Sequence, residues 1–266
     1  MEILGYSAAV IIGLSLGMIG GGGSILTVPV LVYLFHINPA TATSYSLFIV
    51  GITSLFGAYT NFRKQQVSIV TALLFGTASV ITTLVIRRWV VPAIPVILFE
   101  TGKFAITKSF AMMAGFALLM IIASVSMIRP CRKCEEIQTN VQPEYGRLFL
   151  FGVLIGIVTG LLGAGGGFLL IPALILFLKM PMKKAVGTSL LIIALNSLIG
   201  FTGDIGNYTI DWALLAILTV LAISGILIGS FVSQGINGNK LKKGFGFFVM
   251  IMGIYIITNE LLRSGL

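Results

Sequence analysis

Two clusters of glycine interrupt apolar stretches of this chain and constrain its fold more than any other feature. Gly20–Gly23 breaks an apolar run over 3–35, and Gly163–Gly167, which includes one alanine, lies in similar surroundings. A proline follows each cluster at the same distance, at Pro29 and Pro172. Each glycine costs a helix about 1 kcal/mol relative to alanine, and in lipid every freed backbone group must find a new partner. Two helices broken in matching places predict a binding site at the breaks.

The composition indicates that these stretches lie in a membrane. Of the 266 residues, 57% are hydrophobic and 9% are charged, whereas a soluble domain carries about 25% charge. The apolar N-terminus lacks the basic flank of a cleavable signal peptide, so none is expected. The net charge of +9 is explained by basic loops that orient membrane helices, and no nucleic-acid partner is expected. The predicted fold class is an all-α polytopic membrane protein.

Polar residues divide the chain into apolar runs. The stretch 88–108 differs from the rest, because prolines, charged residues and Trp89 interrupt it too often for a spanning helix. It is predicted to be an interfacial loop or a short amphipathic segment, with Trp89 at headgroup level. The apolar runs cover 3–19, 24–36, 40–61, 67–86, 109–128, 147–163, 166–178, 185–202, 212–232 and 244–262.

The second half of the chain repeats the first at an offset of 143 residues. Residues 13–61 align without gaps on 156–204, and the matches include glycines and prolines, which report backbone geometry rather than hydrophobicity alone. The matched pairs are Gly13/Gly156, Gly17/Gly160, Gly20/Gly163, Gly22/Gly165, Gly23/Gly166, Pro29/Pro172, Ala42/Ala185, Ser46/Ser189, Ser54/Ser197 and Gly57/Gly200. The predicted organisation is a first transmembrane repeat over 1–128, a cytoplasmic linker over 129–146 and a second transmembrane repeat over 147–266.

The lengths of the broken runs predict how the chain turns. As one helix, 3–36 would be about 50 Å long, against a hydrocarbon core of about 30 Å. Each glycine cluster is therefore predicted at the tip of a helical hairpin, which either crosses fully or is re-entrant. A hairpin followed by three transmembrane helices makes each half odd in crossings, so the two repeats must have inverted topology.

Loop charges agree with inverted hairpins. With both termini outside, twelve basic residues fall inside and five outside, whereas single spans over 3–36 and 147–178 give ten and seven. The first division obeys the positive-inside rule better and predicts a multi-pass protein of the cell (inner) membrane with both termini outside. The inside residues are Arg63, Lys64, Arg129, Arg132, Lys133, Arg147, Lys179, Lys183, Lys184, Lys240, Lys242 and Lys243, and the outside residues are Arg87, Arg88, Lys103, Lys108 and Arg263.

The glycine clusters predict an anion site. A turn into a helix leaves N–H groups unpaired at the new helix start, and glycine lets a ligand approach the backbone. Two such helix ends from inverted hairpins would meet near the membrane centre, and close helix packing by small residues is the alternative. The predicted substrate-binding residues of the clusters are Gly20, Gly21, Gly22, Gly23, Ser24, Gly163, Gly165, Gly166 and Gly167.

Polar residues of the second crossing in each half form a further candidate set. Hydroxyl and amide donors suit an oxyanion, and hydrogen bonding between helices is the alternative. Tyr45, Ser46, Thr53 and Ser54 correspond to Thr188, Ser189, Asn196 and Ser197. Of these, Ser46, Thr188, Ser189 and Asn196 are predicted to line the substrate pathway.

Charged and thiol groups give weaker signals. Glu100 and Asp204 lie near the edges of the spans, and no ionisable residue falls clearly within one, so a buried carboxylate relay is not expected. Asp204 matches Asn61 and is predicted to cap a helix end rather than to act as a gate or proton carrier. Cys131 and Cys134 form a lone CxxC predicted to be incidental, with a redox role left open. No cofactor, metal site or enzymatic activity is predicted.

A glycine cluster, a proline and an A-x-G-T-S motif follow one another along the chain. The cluster reads G-x-x-G-x-G-G at both 17–23 and 160–166, and Ala-Val-Gly-Thr-Ser-Leu occupies 185–190. The first half departs from this pattern, with Ala-Thr-Ser-Tyr-Ser at 42–46. Together these motifs resemble the sulfite exporter TauE/SafE family over nearly the whole chain. The resemblance implies transport of sulfur-containing oxyanions such as sulfite, sulfoacetate and other sulfonates.

These inferences combine into one hypothesis about function. The chain is predicted to be a secondary transporter that moves small organic or inorganic sulfur oxyanions by alternating access of its two halves. Its partners would be the anion, the lipid bilayer and a coupling ion, either a proton or sodium. Two alternatives stay open: a passive anion channel, and a membrane sulfur-relay or redox protein that uses Cys131 and Cys134.

Overall fold

The protein is built from helices, with one short β-hairpin. The computed structural model describes residues 2–21, 23–95, 97–101, 104–128, 145–162, 167, 170–171, 174, 178, 180–207, 210–232 and 238–264. In chain order the elements are α1 (Glu2–Ile19), α2 (Ser24–Tyr33), α3 (Pro39–Arg63), α4 (Ile69–Val85), a π-helical turn (Ile86–Val90), α5 (Val91–Ala93), β1 (Ile97–Thr101), β2 (Phe104–Thr107), α6 (Lys108–Ile128), α7 (Tyr145–Leu162), α8 (Met182–Thr202), α9 (Trp212–Val232) and α10 (Gly238–Ser264).

Four helical stretches of the described chain are long and apolar enough to cross a membrane. They are Pro39–Arg63, Ile69–Ala93, Lys183–Thr202 and Trp212–Val232. Large apolar side chains face outward from them, including Ile81, Val220 and Phe231. Such exposed apolar surface is unusual in water and suits contact with lipid. The prediction of a helical, multi-pass membrane protein is confirmed at this level.

The segment 88–108 differs from its prediction as a loop or short amphipathic segment. The helix of α4 continues through the π-helical turn to Ala93, and the chain then forms the antiparallel hairpin of β1 and β2. Arg87, which was expected at the edge of the apolar run, lies inside this continuous helix, where it is buried and paired with Asp204. Apolar and β-branched residues on both sides of Gly102-Lys103 favour the hairpin. Trp89 is exposed, as interfacial placement requires.

Side-chain caps fix where two of the central helices begin. Asn38 accepts a hydrogen bond from the Ala40 N–H, and Pro39 occupies the first turn of α3. Asp211 accepts from the N–H groups of Ala213 and Leu214 at the start of α9. Such caps satisfy donors that a helix start leaves unpaired.

Glycines let α1 pack on α9 and α7 pack on α4 at backbone distance. A Cβ at Gly13 would touch the Ala222 carbonyl, and a Cβ at Gly156 would lie 2.6 Å from the Ser79 carbonyl oxygen. Gly156 and Ser79 are the residues that the 143-residue offset assigns to Gly13 and Ala222. The two helix pairs therefore repeat one contact, of the close kind that small residues allow in membranes.

The helices α3 and α8, which are equivalent under the same offset, pack against each other. Contacts run from Gly51 with Leu198 to Gly57 with Leu190. The residue numbers rise along α3 while those of the contacting residues fall along α8, so the two helices are antiparallel. In contrast, α1 and α9 run parallel, because Gly13 meets Ala222 and Gly17 meets Ile226. The pair of α3 and α8 forms the centre on which the candidate site lies.

Candidate functional site

Gly21 of the first glycine cluster and Gly167 of the second meet backbone to backbone. A Cβ on Gly21 would lie 2.5 Å from the carbonyl oxygen of Gly167, and a Cβ on Gly167 would lie 2.9 Å from Cα of Gly21. Gly20 has a φ of +80°, which side chains other than glycine adopt at a cost. Only glycine therefore fits this contact without displacement. Four predicted site residues lie outside the described part of the chain: Gly22, Gly163, Gly165 and Gly166.

Serine hydroxyls hold the first cluster. Ser24, the first residue of α2, donates to the Gly21 carbonyl at 2.7 Å. From α8, the Ser189 hydroxyl lies 3.1 Å from the Gly20 carbonyl oxygen and 2.8 Å from that of Val186. The structure thus brings Gly20, Gly21, Ser24, Gly167 and Ser189 together. Gly23 caps α2 without a side-chain hydrogen bond.

One face of α8 follows the clusters. Ser189 contacts Gly20, and a Cβ on Gly167 would lie 2.5 Å from Cδ1 of Ile193, one turn further along. Asn196 lies another turn along the same face, since residues at i, i+4 and i+7 align on a helix. Asn196 Oδ1 accepts from the Ser79 hydroxyl at 2.8 Å.

Several buried polar side chains of α3 and α8 have atoms with no hydrogen-bond partner within the described part of the chain. Their side chains are fully buried. Most buried polar atoms in folded proteins are satisfied, so each such group requires an explanation. On α3 and α8 the unpartnered atoms are the hydroxyls of Ser44, Ser46, Ser54 and Ser197 and the Nδ2 of Asn196.

Thr188 has a structural partner. Its hydroxyl accepts a hydrogen bond from the Ser68 N–H at 2.9 Å, at the start of α4. At the equivalent place in the other half, the Tyr45 hydroxyl accepts from the Asp211 N–H at 2.6 Å. Thr188 therefore joins α8 to α4, whereas Ser189, its neighbour in sequence, contacts the glycine cluster.

A buried ion pair is the main feature of this region that sequence reasoning missed. Arg87 Nη1 donates to Asp204 Oδ2 at 2.7 Å, and the two side chains are 0% and 1% exposed. The prediction that Asp204 caps a helix end is therefore wrong, and Asp211 caps α9 instead. A cap needs free helix N–H groups beside the carboxylate, and Asp204 follows the C-terminal end of α8. One sequence feature did point to this pair, because Arg87 and Asp204 were predicted on the same side of the membrane.

Sequence comparison decides the family. The model described as sulfite exporter TauE/SafE matches residues 6–256. The chain belongs to this family.

Relatives agree with this assignment. A probable membrane transporter protein of Xylella fastidiosa is 27% identical over 259 residues, which cover 93% of this chain and 91% of the relative. The probable membrane transporter protein YdhB of Bacillus subtilis is 25% identical over 247 residues, covering 93% and 96%. No solved structure matches the chain. Membership of the TauE/SafE family thus supports a membrane transporter.

The remaining candidate groups do not form a described site. Cys131 and Cys134 lie outside the described residues. Within the described part of the chain, no cluster of three or more His, Cys, Asp or Glu side chains could hold a metal ion. The described part of the candidate site of this TauE/SafE protein consists of backbone groups, hydroxyls and one amide.

Proposed function

We propose that this TauE/SafE protein is a secondary transporter that carries small sulfur-containing oxyanions, such as sulfite, sulfoacetate and other sulfonates, by alternating access. The proposal rests on the backbone contact between Gly21 and Gly167, one residue from each glycine cluster. Broken helices in transporters present N–H groups to anionic parts of their substrates. The anion would bind where the two clusters meet.

Helix directions support two inverted halves. α3 and α8 are antiparallel, whereas α1 runs parallel to α9 and α7 parallel to α4. Short links join α3 to α4 and α8 to α9, and such links connect antiparallel helices. Together these relations support opposite directions for the equivalent helices α1 and α7. Inverted halves are the usual basis of alternating access around a central site.

Unpartnered donors support an oxyanion as the ligand. The hydroxyls of Ser46, Ser54 and Ser197 and the amide Nδ2 of Asn196 are buried without a partner in the described chain. A buried donor left unsatisfied costs about 1–3 kcal/mol. Sulfite and sulfonate oxygens accept hydrogen bonds from such donors, which would recover this cost when the anion binds.

The proposed orientation places both termini outside the cell (inner) membrane, and the proposed coupling ion is a proton or sodium. Arg87, Lys108 and Asp204 all fall outside in this topology, and they lie together in the folded protein. Their proximity supports the orientation of the two halves relative to each other. The repeat boundaries at 128 and 147 follow the same proposal.

Flux into proteoliposomes tests the function. Radiolabelled sulfite, sulfoacetate and thiosulfate are supplied to the parent protein, to Gly21→Ala and to the control Gly76→Ala. A Cβ at Gly21 would collide with Gly167, whereas a Cβ at Gly76 would have its nearest neighbour at 3.9 Å. We expect the parent and Gly76→Ala to transport at least one of these anions and Gly21→Ala to lose that flux.

The outcomes separate the alternatives. Equal flux through Gly21→Ala and the parent would exclude the glycine site. Accumulation against the electrochemical gradient indicates a coupled transporter, whereas flux that never exceeds the gradient indicates a channel. Loss of activity in Cys131→Ser/Cys134→Ser, with Gly21→Ala unaffected, would favour the sulfur-relay alternative.

A further inference from the structure

The buried pair of Arg87 and Asp204 lies at one end of the central helices α3 and α8. Arg87 is in the π-helical turn after α4, and Asp204 directly follows α8. Single π-helical turns within helices are frequent at functional sites. The pair joins the first half of the chain to the second, so opening this end of the protein requires the two side chains to separate.

The opposite end of the same helix pair is built without these charges. The repeat assigns Ser230 to the position of Arg87 and Asn61 to that of Asp204. Asn61 turns back to its own helix and donates to the Gly57 carbonyl at 2.8 Å. The position equivalent to Asp204 thus carries a neutral amide that bonds to its own helix, so the ion pair is not repeated at the other end. A buried ion pair is also weak support for stability, because desolvation offsets the attraction.

The surroundings of the pair favour an additional anion. Lys108, the first residue of α6, donates from Nζ to the Val91 carbonyl and lies within electrostatic range of both partners. Two cationic groups and one carboxylate therefore lie in the same region. Asp204 Oδ1 has no hydrogen-bond partner among the described residues, and the hydroxyl of Ser44 lies beside the carboxylate without closing a regular hydrogen bond.

We propose that Arg87 is an anion-binding residue and that the incoming oxyanion displaces Asp204 from it, which opens this end of the transporter. The inference rests on the proposed function and adds the entry site. A guanidinium group donates hydrogen bonds to the oxygens of sulfite or a sulfonate, as it does to those of a carboxylate. In the absence of substrate, Asp204 is the ion-pair partner of Arg87. When Asp204 leaves, the bound anion supplies the negative charge that Arg87 needs.

Three variants test the exchange in full-length protein reconstituted in nanodiscs, with radiolabelled sulfite and sulfoacetate as the probes. Asp204→Asn removes the competing carboxylate and keeps Arg87. Arg87→Ser removes the anion-binding group. The double variant Arg87→Ser/Asp204→Asn reproduces the neutral residues that the chain carries at the other end, so it is the variant best able to fold.

Binding affinity and thermal stability are measured for each variant, because the proposal predicts different changes in the two. We expect Asp204→Asn to bind the probe about fivefold or more tightly, and Arg87→Ser to bind it about fivefold or more weakly, as expected for coupling between two sites. The double variant should regain the thermal stability of the parent but bind as weakly as Arg87→Ser. Opposite signs for the two single variants are specific to exchange, because a purely structural pair loses function in both.

Two results would overturn the proposal. In the first, Asp204→Asn weakens binding as Arg87→Ser does. In the second, the stable double variant binds as tightly as the parent. If the parent binds the probe and Gly21→Ala does not, either result removes the exchange and leaves the proposed function intact. If the parent binds neither anion, both proposals fail.

Discussion

The two halves of this protein make the same backbone contacts with different side chains. Thr188 accepts a hydrogen bond from the Ser68 N–H, and in the other half Tyr45 accepts from the Asp211 N–H. The residues that make these two contacts are equivalent under the 143-residue offset, although a threonine in one half replaces a tyrosine in the other. The packing of the protein is therefore duplicated to the level of single hydrogen bonds.

The polar interior is not duplicated. Asn196 accepts from Ser79, whereas the equivalent residues are Thr53, which donates to its own helix at Ile49, and Ala222. The Arg87–Asp204 pair is likewise confined to one end. Because the helix contacts are duplicated and these side chains are not, we expect differences between the two ends of the protein, such as selectivity for the substrate, to arise from these residues.

The largest effect is expected where the halves agree. Gly13→Ala and Gly156→Ala each place a Cβ against a backbone carbonyl, at Ala222 and Ser79 respectively. Overpacking of this kind costs about 1–3 kcal/mol, and we expect similar losses for both variants in thermal unfolding of the purified protein. Gly76→Ala, with no neighbour closer than 3.9 Å, should unfold as the parent does. A large loss in one variant and none in the other would show that the two contacts are not equivalent.

A smaller effect is expected where the halves differ. Ser79→Ala leaves Oδ1 of Asn196 without its donor and should cost about 1 kcal/mol or slightly more. The double variant Ser79→Ala/Asn196→Thr reproduces the residues of the other half and should recover most of this stability. Thermal unfolding measures the stability, and sulfite flux shows whether Asn196 is needed for transport. No recovery of stability in the double variant would mean that the two interiors cannot be exchanged.

The smallest effect is expected at Thr188 and Tyr45, whose hydroxyls accept hydrogen bonds from backbone N–H groups at the starts of α4 and α9. Thr188→Val and Tyr45→Phe each remove one acceptor for a backbone N–H, and we expect each to cost about 0.5–1 kcal/mol. Sulfite flux should persist in both, because the two hydroxyls serve the starts of α4 and α9. Abolished flux in a stable Thr188→Val variant would instead place Thr188 in the substrate pathway.

The repeat and the positions of the helices could be predicted from the sequence because glycine, proline and apolar length report them directly. The apolar run 212–232 coincides with α9. The contact between Gly21 and Gly167 agrees with the expectation that the two glycine clusters approach each other, which the matching positions of the clusters in the two halves suggested.

The ion pair could not be predicted from the same signals. Arg87 and Asp204 are 117 residues apart, and each lies at the edge of an apolar run, where a charged residue ordinarily faces water or headgroups. Burial of both depends on how the end of α4 packs against the end of α8, and apolar periodicity carries no information about that contact. The hairpin of β1 and β2 was missed because its strands are only five and four residues long and lie in a stretch with several charged residues and prolines.

Anomalous X-ray scattering decides whether the anion binds where the glycine clusters meet. Selenite is first shown to compete with sulfite for uptake, and crystals of the protein with unmodified methionine are then grown in its presence. We expect the selenium peak within hydrogen-bond distance of the backbone N–H groups at Gly20–Ser24 and near Gly167. A peak remote from both clusters, with competition intact, would rule out the glycine site.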